Sequence, residues 1–365
     1  MKIKDLTRIL EKIAPPQYQE GYDNAGLIVG NPMTDITGVL VCLDSTEAVI
    51  LEAIERGCNV VVAHHPIVFK GLKKLNGKNY VERTVILAIK NDVAIYAIHT
   101  NLDNMLHNGV NTKIAEKLGL TNLKILAPKR QILMKLTTFV PVSDTQKVLD
   151  ALYQAGAGTI GNYQNCSFRT EGIGTFKPTG AANPHIGSIN KDEEVAENRI
   201  EVVFPSHLER AILTALRTAH PYEEVAYYMQ ALENDNQEVG AGIVGELAEP
   251  MTEMAFLQFL KTTMKAGIVR FTHPLSKMVK KIAVCGGAGS FLLPQAIGSG
   301  ADVFVTADYK YHEFFDADGR ILIADIGHFE SEQYTIDLLI AILTKEKPNF
   351  EIFSTRTLTN PVFYL

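Results

Sequence analysis

The first 127 residues alternate between short apolar runs and segments with apolar residues at helical spacing. Residues 3–13 carry apolar side chains three or four positions apart, which predicts an amphipathic packing helix that ends before Pro15. Three continuous apolar runs predict buried strands at residues 38–43, 59–63 and 93–98. Helices are predicted at residues 44–57, where Asp44 to Glu47 resemble a capping box, 81–90 and 112–118. This alternation predicts an α/β layer with a largely buried sheet.

The rhythm changes at about residue 133. The pattern predicts a strand at 133–142, a helix at 144–154, a Gly-rich stretch at 156–187, a strand at 199–204, a helix at 206–218 and a strand at 225–232. This β-α-β-β-α-β style of unit predicts that residues 128–235 form an inserted ferredoxin-like α+β module with its own core.

After a charged linker at 233–238, α/β alternation returns. Helices are predicted at 252–265, from 290, and over 328–344, with strands at 281–285, 302–306 and 320–325. The predicted organisation is therefore an α/β core assembled from residues 1–127 and 236–365. Its two similar α/β halves build one composite core, and the module at 128–235 interrupts it.

Composition changes this picture little, but it excludes several classes of protein. The chain has 41 acidic and 35 basic residues and a net charge of -6, so it has no general attraction for nucleic acid or anionic membranes. Charges interrupt the first segment, and no apolar run approaches the ~18 residues of a membrane span, which predicts a cytoplasmic protein. The four cysteines are scattered singly and are predicted to be reduced core thiols.

Candidate chemistry collects where the predicted strands end. Ligands of parallel α/β sheets bind outside the carboxyl ends of the strands, so the residues found there are expected to converge. The histidines and carboxylates at these positions are His64, His65, His99, Asp103, Asp308, His328 and Glu332.

Five of these residues form a plausible dinuclear metal site: His64, His65, Asp103, His328 and Glu332. His328 and Glu332 are four apart at a helix start and share one face. Asp103 has two oxygens and is the residue type able to bridge two ions. A lone histidine is more often a hydrogen-bonded core or surface residue, but the conjunction of several strand ends favours metal. The donor set suits zinc, iron, manganese or nickel without discriminating among them.

Four motifs carry a resemblance to a known family: YDNAGL (22–27), HHP (64–66), HTNLD (99–103) and GHFESE (327–332). They resemble the dinuclear metal-centre family of GTP cyclohydrolase I type 2 homologues, also called Nif-three-like proteins, and the resemblance spans the whole chain. Two segments of the inserted block, 174–187 and 220–227, look like the module of the longer bacterial form, which is similar in fold to the small trimeric PII signalling and CutA cation-tolerance proteins.

The resemblance implies the same five metal ligands and two divalent ions per chain, with zinc as the first choice. It also implies a homohexameric ring whose metal sites face an internal cavity, and a hydrolase that opens the imidazole ring of GTP with release of formate. The sequence departs from the family motifs at Tyr22, where Trp is frequent, and at Tyr311, where His is common.

Further roles are assigned around this site as hypotheses. Asp308, His312 and Glu313 are expected to move protons, while Lys310 and His99 are expected to contact the substrate. The GGAG segment at 286–289 is either a phosphate-binding turn or, preferably, a plain tight turn. In the module, the HPYEE segment at 220–224 either binds a metal or a partner or, preferably, forms a solvated turn.

Three function classes remain open from the sequence. The first is a metal-dependent hydrolase of GTP or a related nucleotide. The second is a non-catalytic, metal-binding hexamer with a regulatory or interaction role. The third is a metal-dependent phosphoesterase or nuclease-like enzyme, which the acidic balance of the chain disfavours.

Overall fold

The structure is a computed structural model that describes residues 1–346 and 348–365. The chain divides into two compact units, one made of Met1–Pro128 and Glu238–Leu365 and the other of Lys129–Gln237. Each unit has its own sheets and hydrophobic core. None of the helices in the described residues combines the length and apolar character that crossing a bilayer requires.

The strands are β1 (Gly26–Val29), β2 (Gly38–Cys42), β3 (Val60–Ala63), β4 (Ala94–Ala97), β5 (Thr121–Pro128), β6 (Leu133–Pro141), β7 (Phe168–Phe176), β8 (Glu193–Pro205), β9 (Tyr227–Leu232), β10 (Gly240–Thr252), β11 (Arg270–Phe271), β12 (Met278–Ala288), β13 (Val303–Ala307), β14 (Leu322–Asp325) and β15 (Glu351–Ser354). The α-helices are α1 (Ile3–Ile13), α2 (Glu47–Glu55), α3 (Tyr80–Lys90), α4 (Thr100–Asp103), α5 (Val110–Lys117), α6 (Thr145–Gln154), α7 (Glu209–Ala219), α8 (Glu253–Thr263), α9 (Leu293–Gly298), α10 (His328–Glu332) and α11 (Thr335–Lys345).

The first sheet of the larger unit has the order β1-β4-β3-β2-β15. β2, β3, β4 and β15 are parallel, and β1 is antiparallel to β4. Every residue of β2, β3 and β4 is buried, which explains why these strands are continuous apolar runs in the sequence. The carboxyl ends of β3 and β4 lie side by side, so the residues that follow them are brought together.

The second sheet has the order β11-β14-β13-β12-β10-β5. β12, β13 and β14 are parallel, and the other pairings are antiparallel. The largest hydrophobic cluster contains residues of both sheets, for example Val41 and Val60 of the first and Val284 and Val303 of the second. The α/β fold class predicted from the alternation is thus confirmed, and the two sheets share one core.

The smaller unit contains one antiparallel sheet of order β7-β8-β6-β9. Its elements follow one another as β6-α6-β7-β8-α7-β9, and apolar residues of α6 and α7 pack on β6 and β8. Its assignment as a ferredoxin-like module stays a prediction.

The structure differs from the sequence-based elements in several places. The helix predicted at 328–344 is two helices, α10 and α11, because Gln333 and Tyr334 between them are anchored elsewhere. The Gln333 side chain donates to the Met264 carbonyl at 2.9 Å, and the Tyr334 hydroxyl donates to the Thr263 carbonyl at 3.0 Å. Hydrophobic spacing carries no sign of such a break.

Other differences concern residues predicted as loops or caps. Residues of the HTNLD motif form the one-turn helix α4, and the Gly-rich stretch contains β7. The capping box predicted from Asp44 is wrong, since α2 is capped by Thr46, whose side chain accepts from the Val49 N–H. Asp44 is left available for another contact.

Candidate metal centre

Five side chains predicted as ligands converge within the larger unit. His64 and His65 directly follow β3, Asp103 ends α4, and His328 and Glu332 lie one turn apart on α10. They fall into two groups of three whose ligand atoms lie within 4.8 Å of one another. The site therefore combines residues of both α/β halves: those that follow β3 and β4 in the first half, and those of α10, which follows β14, in the second.

The first group consists of His65, His328 and Glu332. The Glu332 Oε2 atom lies 2.9 Å from His65 Nε2 and 3.1 Å from His328 Nε2, and the two Nε2 atoms are 3.3 Å apart. Three potential metal-ligand atoms thus form a triangle small enough for all three to bind a single small cation.

The second group consists of His64, Asp103 and Glu332. His64 Nε2 lies 3.5 Å from Asp103 Oδ1 and 3.8 Å from Glu332 Oε1. Both His64 Nε2 and Asp103 Oδ1 are buried and have no hydrogen-bond partner. Two buried acceptors that face each other without a donor are unfavourable unless a cation lies between them.

Each histidine ring is oriented by a hydrogen bond from its other nitrogen. The Nδ1–H groups of His65 and His328 donate to Asp44 and Asp308, at 2.8 and 2.7 Å, and that of His64 donates to the Ile98 carbonyl at 2.8 Å. This arrangement fixes the tautomer and directs each Nε2 lone pair towards the centre, as in protein metal sites.

His99, a predicted substrate contact, is held in the same way. Its Nδ1–H donates to Asp23 Oδ1 at 2.8 Å, and the other Asp23 oxygen accepts from the Thr100 N–H at 3.0 Å. The His99 ring lies 5.3 Å from the rings of both His64 and His65, with ligand atoms of the three histidines again within 4.8 Å. His99 therefore borders both groups.

Burial and charge oppose each other in this cluster. Burial lowers the pKa of His65 and His328, but neighbouring carboxylates outweigh it and raise these values to about 9 and about 11. Burial lowers the pKa of His64. Burial and the Glu332 carboxylate raise the pKa of Asp103, whereas the histidines around Glu332 overcome its burial and hold its pKa well below the usual range. Without a metal ion, protons bound to these side chains must balance the negative charge of the converging carboxylates.

The donor set and its spacing fit metal ions. Ligand atoms about 2.0–2.1 Å from one tetrahedral zinc ion lie about 3.3 Å apart. The distances given above for the histidine nitrogens of the two groups range from 2.9 to 3.8 Å. Glu332 contributes one oxygen to each group. The carboxylate common to both groups is therefore Glu332, whereas the sequence pointed to Asp103 as the bridging type.

The end of β12 closes the site from the side. Gly287 has a φ of 63°, and a Cβ atom at this position would lie 2.6 Å from Glu332 Oε1. The Gly286 N–H donates to Asn111 and the Gly287 N–H donates to Ser331, at 2.8 and 2.9 Å. Since these two amides are engaged, they do not offer a phosphate cradle, and Gly287 instead provides the space that Glu332 occupies.

A cavity of about 1060 Å³ opens over the cluster. Five aromatic side chains that are between 45% and 68% exposed line it: Tyr22, Phe69, Tyr80, Phe291 and Tyr364. Carboxylates also line it: Glu20, Asp44, Asp103, Asp308, Asp325, Glu330 and Glu332. Within the described lining Arg270 is the lone Lys or Arg, and it pairs with Asp325. The cavity combines aromatic surface with an acidic floor.

The remaining predicted residues lie in different places. Asp308 contacts His328, so it orients a ring. Lys310, His312 and Glu313 do not line the cavity. Glu313 accepts from the Lys310 N–H at 3.1 Å, which caps the short 3-10 helix that holds the exposed His312. The structure therefore does not bring these three residues to the cluster.

Sequence reasoning missed Asp44 and Asp23 as partners of His65 and His99. Asp44 comes shortly after the apolar strand β2, so the strand-end rule that found the histidines also applied to it. Asp23 lies in the YDNAGL motif before β1, and no spacing links it to the chemistry.

Comparisons with known proteins agree over the whole chain. The profile of the DUF34/NIF3 family, described as Duf34/NIF3 (NGG1p interacting factor 3), matches residues 1–361. A Bacillus subtilis (strain 168) protein named GTP cyclohydrolase 1 type 2 homolog is 38% identical over 367 residues, which cover 99% of this chain and 98% of the relative.

Solved structures show the same fold. The crystal structure of a Bacillus cereus protein related to NIF3 is 37% identical, covers 100% of this chain and 99% of that chain, and has a TM-score of 0.88. A Staphylococcus aureus crystal structure is 30% identical, with coverages of 100% and 99% and a TM-score of 0.78. The resemblance carried by the four motifs is confirmed, and the chain belongs to the DUF34/NIF3 family.

Proposed function

We propose that this protein binds two divalent metal ions through His64, His65, Asp103, His328 and Glu332. The observation that carries the proposal is the pair of buried acceptors, His64 Nε2 and Asp103 Oδ1, which face each other at 3.5 Å without a donor. Three imidazoles and two carboxylates suit zinc first, with iron, manganese or nickel as alternatives.

The site supports metal-dependent hydrolysis as the reaction class. When bound, a pair of divalent ions polarises a substrate atom and lowers the pKa of water. Asp44 and Asp308 keep the rings of His65 and His328 in place, and His99, fixed by Asp23, presents its Nε2 atom beside the two groups. We assign His99 to substrate contact or proton transfer.

The substrate class proposed is GTP or a related nucleotide. The aromatic rim of the cavity, which includes Tyr22, Phe69 and Phe291, offers faces on which a planar base can stack. The names of the relatives, GTP cyclohydrolase 1 type 2 homolog, point to the same class.

One observation favours the non-catalytic alternative, a metal-binding protein with a regulatory or interaction role. The cavity lining holds seven carboxylates, and Arg270, its lone Lys or Arg among the described residues, is already paired with Asp325. A triphosphate finds little positive charge there apart from the metal ions. Homohexamer assembly and a cytoplasmic location stay predictions, and light scattering coupled to size-exclusion chromatography tests the first.

Metal analysis of the purified protein tests the site. We expect about two transition-metal ions per chain, and the double variant His64→Ala/Glu332→Ala should retain none while its circular dichroism stays native. A double variant of exposed residues that do not line the cavity, His312→Ala/Asp316→Ala, is the matched control. A wild-type protein that stays empty after reconstitution with zinc, iron and manganese would contradict the site.

Activity is tested separately with the metal-loaded protein and GTP. Formate release and pterin fluorescence are the readouts, and the Asp103→Asn variant should show neither. If two ions bind but no metal supports turnover of GTP or related nucleotides, the metal site stands and the non-catalytic alternative replaces the hydrolase.

A further inference from the structure

A second cavity, of about 1240 Å³, lies wholly within the smaller unit, Lys129–Gln237. Two segments that the metal centre does not use build much of it. One is the Gly-rich segment at 174–187 and the other is the HPYEEVAY segment at 220–227, and together they place Gly174, Phe176, His185 and Tyr222 in the lining. Distant parts of the sequence thus enclose one space.

A buried carboxylate lies in this cavity. Glu197 of β8 is 7% exposed, and its Oε1 atom accepts from the Tyr222 hydroxyl at 2.8 Å. A Cβ atom at Gly174 on the neighbouring strand β7 would lie 2.2 Å from Glu197 Oε2. Glycine at position 174 therefore leaves room for the Glu197 carboxylate, whereas any side chain at this position would collide with it.

Glu197 forms no salt bridge among the residues that the structure describes, and the basic residues of the lining are engaged elsewhere. Arg199 Nη2 lies 2.6 Å from Glu201 Oε1, and Lys177 Nζ lies 3.2 Å from Asp192 Oδ2. Both of these carboxylates lie outside the lining. Buried carboxylates are ordinarily paired with a cation, so Glu197 lacks the partner that its burial calls for.

Aromatic rings stand beside this carboxylate. The Tyr222 ring centroid lies 5.9 Å from that of Phe176 and 6.4 Å from that of His185. Tyr222 is held by His220, whose Nδ1 accepts from the Tyr222 N–H at 3.1 Å while its Nε2–H donates to the Phe139 carbonyl at 2.9 Å. Since His220 is buried and both its nitrogens are engaged, it orients Tyr222 and is not available to a metal.

We propose that this cavity binds a small organic cation that carries N–H donors, such as an alkylammonium or guanidinium compound. Its charged group binds the Glu197 carboxylate, and its body lies against the rings of Phe176 and Tyr222. Among the described residues, every set of three side chains close enough to hold a metal ion lies in the metal centre, which favours an organic cation over a metal here.

Calorimetric titration of the full chain with agmatine, which has both a guanidinium and an ammonium group, tests the proposal. We expect one site per chain in the unit Lys129–Gln237, with a dissociation constant below about 1 mM. Tetramethylammonium, which has no N–H donor, and acetate should not bind. The titration is repeated with metal-free protein, where unchanged affinity separates this site from the metal centre.

The variant Glu197→Gln keeps the size of the side chain and an acceptor for Tyr222 but removes the charge. We expect it to weaken agmatine binding by roughly tenfold or more. Glu194→Gln is the matched control, because Glu194 is exposed on the same strand and does not line the cavity. It should bind agmatine as the wild type does.

If Glu197→Gln lowers the melting temperature of the protein, Phe176→Leu gives an independent measure, with a loss of roughly three- to tenfold expected from the missing ring. Equal binding by the wild type and both cavity variants overturns the proposal. So does the absence of heat with agmatine, putrescine and methylguanidine at millimolar concentration.

Discussion

At the residue scale, the facing pair of His64 and Asp103 decides how the metal-free site behaves. His64 commits its Nδ1–H to the Ile98 carbonyl, so only a lone pair remains on Nε2, opposite Asp103 Oδ1. An unsatisfied buried polar group costs about 1–3 kcal/mol of stability. The protein therefore gives up stability here in the absence of an ion, as functional sites commonly do.

The Asp103→Asn variant turns this into a prediction. Above the raised pKa of Asp103, where its carboxyl group is ionised and cannot donate, the amide supplies an N–H donor to His64 Nε2 and removes one of two adjacent buried carboxylates. The metal-free variant should then be more stable than metal-free wild type by about 1 kcal/mol. Urea unfolding of both proteins in chelator measures the difference, and the variant should also hold less metal. Asp316→Asn, at an exposed position, is the control. A destabilised metal-free Asp103→Asn protein would contradict the prediction.

A second residue-scale prediction concerns Gly287. Alanine there would place its Cβ 2.6 Å from Glu332 Oε1 and strain a backbone with a φ of 63°. We expect Gly287→Ala to displace Glu332 and to weaken metal affinity by roughly tenfold or more, with a stability loss of about 1 kcal/mol. Competition with a fluorescent zinc chelator measures the affinity. Gly298→Ala, with no atom within 4 Å of the added Cβ, should bind metal normally.

At the element scale, α2 anchors the segment that follows β15. Glu52 of α2 accepts from the Arg356 N–H at 2.9 Å, from the Thr357 N–H at 3.2 Å, and from the hydroxyl groups of Thr355 and Thr357 at 2.6 and 2.9 Å. Burial raises the pKa of Glu52, but these hydrogen bonds outweigh it and lower the value to about 2. The ionised carboxylate holds the C-terminal segment to the first sheet's helix layer.

This contact predicts a pH dependence. The folded pKa of Glu52 lies below its ordinary value of 4.5, so its stabilisation is full above about pH 5 and is lost as pH falls from there to about 2. Glu52→Gln should cost about 2–3 kcal/mol at pH 7, and the difference from wild type should shrink as pH falls through this range. Urea unfolding at several pH values measures it. Glu55→Gln, at an exposed position of the same helix, should change neither the stability at pH 7 nor its dependence on pH.

How far the site could be predicted from the sequence also depends on the elements. His64, His65 and His99 could be predicted because they follow β3 and β4, which are buried apolar runs with clear ends. His328 and Glu332 could be predicted because their spacing fits one helical turn. The break after Glu332 could not be predicted, since it depends on contacts of Gln333 and Tyr334 with the end of α8. Long strands such as β10 were also missed, because they lack a clean alternation of apolar and polar residues.

At the scale of the whole molecule, the two compact units have separate hydrophobic cores. We predict two calorimetric unfolding transitions, of which only the one belonging to the larger unit responds to metal. Ions that bind the native site stabilise that unit by mass action, so chelation should lower its transition temperature and leave the other unchanged. Differential scanning calorimetry with and without EDTA measures this. A single transition, or a chelator shift in both, would contradict it.

The pairing of β15 with β2 has a consequence for synthesis of the chain on the ribosome. The first sheet receives its last strand from residues 351–354, and His65 must wait for Glu332, 267 residues later. During translation the free edge of β2 is open to wrong partners until nearly the whole chain has emerged. We therefore expect the proposed metal ions to bind only after translation, because a ribosome stalled before residue 328 carries a nascent chain that lacks two of the five proposed ligands.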